Sequence, residues 1–314
     1  MTGSRVEVAA AVLQRPDGSF LLAQRPAGKV YAGYWEFPGG KIEPGEAAMS
    51  ALARELHEEL GIDVQRVYPW ITRDYDYAHA AVRLRFYRVT EWSGELHGRE
   101  NQQVAWQHVD ALSVSPLLPA NGPILGALAL PHLYGISNAA EVGLEKFLSG
   151  LQRALTRGLR LVQIRDKSLA PDARLTLAVE AVALAHAHRA SVVINGDPAL
   201  AARVGADGVH LTSTQLMAAR TRPAARLVGA SCHDERELAR AAEIGVDFVV
   251  VGPVSETATH AGSPTLGWRR FAELIADYPL PVYAIGGLRE RDFPEAWQAG
   301  AHGIAAIRGA WPPG

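Results

Sequence analysis

Between Leu133 and Ile307 the sequence returns eight times to a short apolar run. The runs are Leu133 to Ile136, Leu161 to Ile164, Val192 to Ile194, Gly208 to Leu211, Leu227 to Gly229, Phe248 to Val251, Val282 to Ile285 and Gly303 to Ile307. Amphipathic segments such as Leu144 to Leu155 and Leu175 to His188 lie between them. Eight short strands alternating with helices predict a parallel (β/α)8 TIM barrel. Polar residues gather just after the strands, at the end where a barrel builds its sites.

The first 130 residues follow a different pattern. Val6 to Leu13, Ser19 to Gln24, Val82 to Val89 and Val104 to Val109 have strand character, with Pro16-Asp17-Gly18 as a hairpin turn between the first two. A long helix is expected from about Glu46 to Leu60, stopped at Gly61, with Ala48, Ala51, Leu52, Leu56 and Leu60 as its buried stripe. A short helix follows from about Asn121 to Leu130. Antiparallel strands with few helices indicate an α+β sandwich. Leu117 to Pro131, with three prolines and Gly122, reads as a boundary region, so domains of residues 1–130 and 131–314 are expected. The length of 314 residues suits two domains.

Composition excludes several function classes. A net charge of −2 argues against a field for a nucleic-acid polymer. The single cysteine, Cys232, excludes an intramolecular disulfide and fits a reducing compartment. With neither a signal peptide nor a membrane span, a soluble cytoplasmic protein is expected. After the last strand the sequence runs only to Gly314, too short for a full eighth outer helix. The first domain or a second subunit, hence a homodimer, is expected to cover that flank.

The chemistry concentrates in Gly40 to Ile62, GKIEPGEAAMSALARELHEELGI. At about 100° per residue, Glu55, Glu58 and Glu59 fall on one helix face. Such carboxylates repel one another and suit a hard divalent cation, Mg²⁺ or Mn²⁺, rather than zinc. Mg²⁺ on carboxylates and substrate oxygens neutralises phosphate charge and polarises water, the usual equipment for splitting phosphoanhydrides. Arg54 is placed to pair with Glu46 across the first turns. A solvated acidic helix face is the plain alternative.

The whole string resembles the Nudix box at every fixed position: Gly40, Glu46, Arg54, Glu55, Leu56, Glu58, Glu59, Gly61 and Ile62. The likeness extends to the MutT branch, which hydrolyses oxidised guanine nucleoside triphosphates. Glu36-Phe37-Pro38-Gly39-Gly40-Lys41-Ile42-Glu43 resembles that branch's EFPGGKIE run. The resemblance implies a Nudix α/β/α sandwich with a metal held by Gly39, Glu55, Glu58, Glu59 and Glu100. Glu46 and Arg54 would join Glu55, Glu58 and Glu59 in the catalytic group, with the base unassigned. It implies substrate contacts at Arg25, Phe37, Lys41, Tyr77 and Asn121, the Asn121 amide donating and accepting at once on a purine edge. The plain readings are a surface arginine at Arg25, a loop charge at Glu100, packing at Tyr77 and a helix N-cap at Asn121. Ala80 stands near a position where MutT carries an arginine, which relaxes base discrimination.

The second half resembles the thiamine phosphate synthase and TenI superfamily. Val162-Gln163-Ile164-Arg165-Asp166-Lys167 is similar to its VQLREK strand end. Gly205 to Leu211 is similar to its GADGVHL, and Ala284-Ile285-Gly286-Gly287 to its AIGG phosphate loop. Gly252-Pro253 with Thr257, Thr259 and Gly262 is similar to its pyrophosphate loop. Departures bear on activity. Asn195-Gly196-Asp197 stands for Asn-Asp, Thr212 to Gln215 for a loop ending in Asp, and His260 for a lysine; Pro253 stands where TenI carries a histidine. The barrel set implied for anion binding is Gln163, Arg165, Lys167, Asn195, Ser231, Thr257, Thr259, Gly286, Gly287 and Arg308. Gly286 and Gly287 also read as turn glycines, and His210 and His233 as packed histidines.

These readings predict a Mg²⁺-dependent nucleoside triphosphate pyrophosphohydrolase of nucleotide-pool sanitation, acting on 8-oxo-dGTP. The attached barrel is expected to bind a phosphorylated thiamine-related ligand. The alternatives are an active thiamine phosphate synthase or thiazole tautomerase in the barrel, and a hydrolase for CTP, another damaged nucleotide or a thiamine-related diphosphate.

Overall fold

The computed structural model describes residues 5–99, 102–256 and 265–311. The chain divides between Ala129 and Leu130 into two compact units. No helix among the described residues is long and apolar enough to cross a membrane.

The first unit contains β1 (Val6–Leu13), β2 (Phe20–Gln24), β3 (Trp35–Glu36), β4 (Gly39–Lys41), α1 (Ala48–Leu60), β5 (Asp63–Asp76), β6 (Ala81–Ser93), β7 (Val104–Gln107) and α2 (Gly122–Leu128). One sheet has the order β4-β1-β6-β5 and a smaller one β3-β2-β7. Alternation along β1 explains the layers. Ala9, Ala11 and Leu13 pack with Ala51, Leu52, Leu56 and Leu60 of α1. Ala10 and Val12 face the other way, into a core with Phe37, Phe86 and Ile124 and Ala127 of α2. A strand with apolar residues on both faces is covered on both, which gives the α/β/α sandwich.

Three expectations change here. The strand pair β1 and β6 is parallel, because a strand pattern encodes burial and not the direction of the partner. The Pro16–Gly18 turn does not join a hairpin ladder. Gln14 and Phe20 form one antiparallel bridge and the two strands then enter different sheets. Helix α1 begins at Ala48 rather than Glu46, since the Glu46 carboxylate accepts the Glu43 N–H and so shapes the preceding loop.

In the second unit eight parallel strands close into a barrel. They are β8 (Leu133–Ile136), β9 (Leu161–Ile164), β10 (Ser191–Asn195), β11 (Gly208–Leu211), β12 (Leu227–Cys232), β13 (Phe248–Val251), β14 (Val282–Ile285) and β15 (Gly303–Ala306). The connecting helices are α3 (Ala139–Val142), α4 (Leu144–Thr156), α5 (Pro171–Ala187), α6 (Pro198–Val204), α7 (Ser213–Ala218), α8 (Glu235–Ile244), α9 (Gly267–Leu274) and α10 (Phe293–Gln298). The barrel interior is filled rather than hollow: Tyr134, Val193, Phe248, Tyr283 and Ala305 form its core.

Candidate functional site

Arg54 organises the acidic face of α1. Its Nε and Nη2 donate to the two oxygens of Glu46 at 3.1 and 3.0 Å, a bidentate pair. Nη1 donates to Glu55 Oε1 at 2.7 Å and to Glu58 Oε2 at 3.3 Å, and Nη2 also reaches the Lys41 carbonyl at 3.2 Å. These bonds, first those to Glu46 and then to Glu55, hold the guanidinium firmly protonated. The same Arg54 bond, with help from the Glu43 N–H, lowers the pKa of Glu46 below the usual carboxylate range.

The Glu55 carboxyl lies directly over Gly40. A Cβ built there would stand 2.1 Å from the Glu55 carboxyl carbon. Gly39, with φ +143, faces the β1 backbone just as closely, its Cβ position 2.1 Å from Ala9 O. Glu59 offers its backbone carbonyl to Arg99 N–H at 2.9 Å and to Gln102 Nε2 at 3.2 Å. The chain on either side of Glu100 is therefore tied to α1, while Glu100 itself lies outside the described residues. Among the described residues no three acidic, histidine or cysteine side chains converge to hold a metal. Arg54 draws two of the three carboxylates to itself. The donors nonetheless fit a divalent ion in kind, being hard oxygens with a Cβ-free cradle at Gly40.

The predicted substrate residues separate on inspection. Arg25 is engaged: Nη1 contacts both Glu36 oxygens at 2.6 and 2.7 Å, and Nε donates to Val30 O at 2.7 Å. Burial raises the Glu36 pKa more than Arg25 lowers it. Phe37 is a core residue, 4% exposed, with ring centroids 5.8 Å from both Phe20 and Phe86. Lys41 is exposed at the end of β4. Tyr77 packs against Tyr75, Tyr31 and His79, at 4.5, 5.5 and 5.5 Å. Burial pushes its hydroxyl up to about 12. Asn121 is buried in a 3-10 turn, Pro119–Asn121, where Nδ2 donates to Trp35 O at 3.3 Å. It makes no side-chain cap on α2, which removes the N-cap alternative.

At the strand ends of the barrel lies a cavity of about 520 Å³. Gln163, Arg165, Lys167 and Asn195 line one part, and Ser231, Gly286, Gly287 and Arg308 another. Thr257 and Thr259 lie outside the described residues, as do His260 and Gly262. A buried relay runs beneath. Asn195 Nδ2 donates to Gln163 Oε1 at 3.1 Å, and Gln163 Nε2 to the Tyr134 hydroxyl at 2.6 Å. That hydroxyl meets His210 Nδ1 at 3.2 Å, and His210 Nε2 meets Ser231 Oγ at 3.0 Å. With Gln163 donating to Tyr134, the tyrosine hydroxyl keeps its own proton for His210 Nδ1, the arrangement in which Gln163, Tyr134 and His210 are all satisfied. Sequence reasoning misses Tyr134; the signal for it is a polar-tipped ring on the first barrel strand.

Burial lowers the His210 pKa to about 3, with the Arg165 and Lys167 charges adding to the effect. The folded barrel keeps this imidazole neutral while the unfolded chain protonates it near 6.5. Between these values the unfolded state binds more protons, so stability falls as pH falls. Urea titrations of wild type and His210→Gln at pH 7 and pH 5 check this. The wild type is expected to lose on the order of 2 kcal/mol more than the variant over that interval.

The acids near the cavity are committed elsewhere. Asp166 accepts from Ser137 Oγ and, at 2.7 Å, from Ala140 N. Asp197 caps α6 through Leu200 N at 2.9 Å and pairs with Arg174 at 2.9 Å. Thr212 and Gln215 form a capping box on α7. Glu237 accepts from His233 N and Nδ1, at 2.7 and 2.9 Å, and from Ser213 Oγ.

The fold and these sites define a two-domain α/β enzyme, a sandwich with an arginine-gathered carboxylate helix joined to a parallel barrel. Comparison with known proteins gives the families. Residues 9–127 match the model of the NUDIX domain and residues 133–310 that of thiamine monophosphate synthase, TMP-TENI. The CTP pyrophosphohydrolase of Escherichia coli is 40% identical over 122 residues, 39% of this chain and 90% of that protein. The thiamine-phosphate synthase of Alcanivorax borkumensis is 35% identical over 182 residues, 57% of this chain and 84% of that protein. The one from Thermus thermophilus is 38% identical over 169 residues, 52% of this chain and 81% of that protein. The chain belongs to the Nudix hydrolases through its N-terminal domain and to the thiamine monophosphate synthase family through its barrel.

Proposed function

We propose that residues 1–130 hydrolyse nucleoside triphosphates to a monophosphate and pyrophosphate, with 8-oxo-dGTP preferred, in cytoplasmic nucleotide-pool sanitation. The observation that carries this reading is the Arg54 cluster, in which one guanidinium binds Glu46, Glu55 and Glu58 and sets Glu55 over Gly40. Carboxylates gathered around a cation are ready for a divalent ion without mutual repulsion in its absence. Mg²⁺ held by the Gly39 carbonyl, Glu55, Glu58, Glu59 and Glu100 would neutralise phosphate charge and acidify water. The protein's own part is positioning: Arg54 fixes the carboxylates, Glu59 ties down Arg99 and Gln102 on either side of Glu100, and Lys41 offers a phosphate contact. Arg25 reaches a phosphate only by sharing its bond with Glu36. Asn121 is assigned to a purine edge, its Nδ2 shared with the Trp35 carbonyl. The barrel, residues 131–314, holds a phosphorylated thiamine-related ligand.

A pyrimidine substrate is the second reading, favoured by the likeness to a CTP pyrophosphohydrolase and by Ala80. The test is kcat/KM for pyrophosphate release from 8-oxo-dGTP, dGTP and CTP. At least about a tenfold preference for the oxidised purine is expected. Equal values for dGTP and 8-oxo-dGTP would remove sanitation, and a CTP preference would install the second reading.

A further inference from the structure

The barrel cavity has the wrong charge for a metal-assisted site. Arg165, Lys167, Arg289 and Arg308 line it against a single carboxylate, Glu256. Arg308 shares its charge with Glu141 at 2.8 Å, while Arg165, Lys167 and Arg289 have no ion pair among the described residues. Residues 257–264, TATHAGSP, contain no acidic side chain. The nearby acids that a divalent ion would need are spent: Asp166 on Ser137 and the Ala140 N–H, Asp197 on Arg174 and the α6 cap, Glu237 on His233 and Ser213. A divalent cation here would enter a cavity that is already positive, with one exposed carboxylate to receive it.

One hard oxygen is left over. Asn195 Oδ1 is buried and has no hydrogen-bond partner, while its Nδ2 is committed to Gln163. An unpaired buried acceptor is costly, and a ligand that satisfies it gains accordingly. A single neutral amide oxygen, with no free carboxylate beside it, does not hold a divalent ion by itself. The partner it suits is an N–H. Ser231, at the other end of the relay, adds a hydroxyl to the same cavity wall.

We propose that the barrel is a metal-independent receptor for a small phosphate or diphosphate ester bearing an amino group, its charge met by Arg165, Lys167 and Arg289 and its N–H by Asn195. A leaving pyrophosphate needs its developing charge neutralised, and with no carboxylate set to hold a divalent ion this barrel retains its ligand instead of making it. The inference rests on the reading of the barrel as a site for a thiamine-related phosphate.

Calorimetric titration of the full-length protein with thiamine monophosphate, in EDTA and again in excess Mg²⁺, tests both. The two Kd values are expected to agree within about twofold, and Lys167→Ala to weaken binding by about tenfold or more in both buffers, roughly 1.4 kcal/mol. Lys167 is exposed, so its loss leaves the fold intact. Binding that appears only with Mg²⁺ overturns metal independence while keeping the ligand reading. No binding in either buffer overturns the ligand reading, and this inference with it.

Discussion

Glu58→Gln is expected to slow pyrophosphate release by on the order of a thousandfold, about 4 kcal/mol of transition-state stabilisation, with the thermal midpoint unchanged. Glu58 lies on the outer side of α1 with 58% of its side chain exposed, and its ion pair within the described residues is the 3.3 Å contact with Arg54. An exposed contact of that length contributes little to stability. Removing its charge therefore separates chemistry from folding. Glu59→Gln makes the same demand one residue on, where the Glu59 carbonyl accepts from Arg99 N–H. Initial rates of pyrophosphate release, with a melting curve on each variant, give the answer. Undiminished rates in both would show that the acidic face is solvated surface.

The adjacent glycines should fail in opposite ways. Gly39→Ala is expected to destabilise the N-terminal domain by more than about 3 kcal/mol, because two penalties combine. Its φ of +143 is a conformation L side chains rarely adopt, and the new Cβ would lie 2.1 Å from the Ala9 carbonyl oxygen, a backbone atom in a central strand. Neither can relax without moving β1. At Gly40 the nearest atoms belong to the end of the Glu55 side chain, at 2.1 Å, and a flexible carboxylate can swing away. Gly40→Ala is therefore expected to fold and to lose at least about a hundredfold in rate, since Glu55 leaves Arg54 and its neighbours. Denaturant melts and pyrophosphate release on the two variants distinguish the cases. A well-folded Gly39→Ala, or a fully active Gly40→Ala, would contradict the placement of β4 under the acidic helix.

What the sequence makes legible, and what it hides, follows from the length scale of each signal. Helix α1 is readable because Leu52, Leu56 and Leu60 repeat over several turns, and its end because Gly61 takes the left-handed conformation. Its start is displaced because Glu46, a good helix former, spends its side chain on the Glu43 N–H and Arg54. Strand β5 escapes a reading by pattern although it runs for 14 residues. Register shifts between Val64 and Arg66, Arg66 and Val67, and Pro69 and Thr72 break its period of two, and a proline inside a strand argues against one. The barrel strands stand out as isolated apolar runs, whereas α6 and α7, of seven and six residues, are too short to show a helical period.

The sites divide in the same way. Arg54 pairing with Glu46 is legible from spacing, since the two lie only eight residues apart across the start of one helix. The relay from Asn195 to Ser231 is not, because its members sit on β8 to β12 and only barrel closure brings them together. The sequence also displays acids near the cavity without revealing that Asp166 and Asp197 accept backbone N–H groups at the start of α3 and α6. At Phe37 the motif gives position and not burial, so the place of the ring in the core is not legible from it.

The central claim, that the first domain is a nucleoside triphosphate pyrophosphohydrolase, is tested most directly by the identity of its phosphorus products. Phosphorus NMR of the full-length protein with 8-oxo-dGTP and Mg²⁺ should show the nucleoside monophosphate and pyrophosphate rising together in equal amounts. Release of orthophosphate with a nucleoside diphosphate, or no turnover of any nucleoside triphosphate, would contradict it.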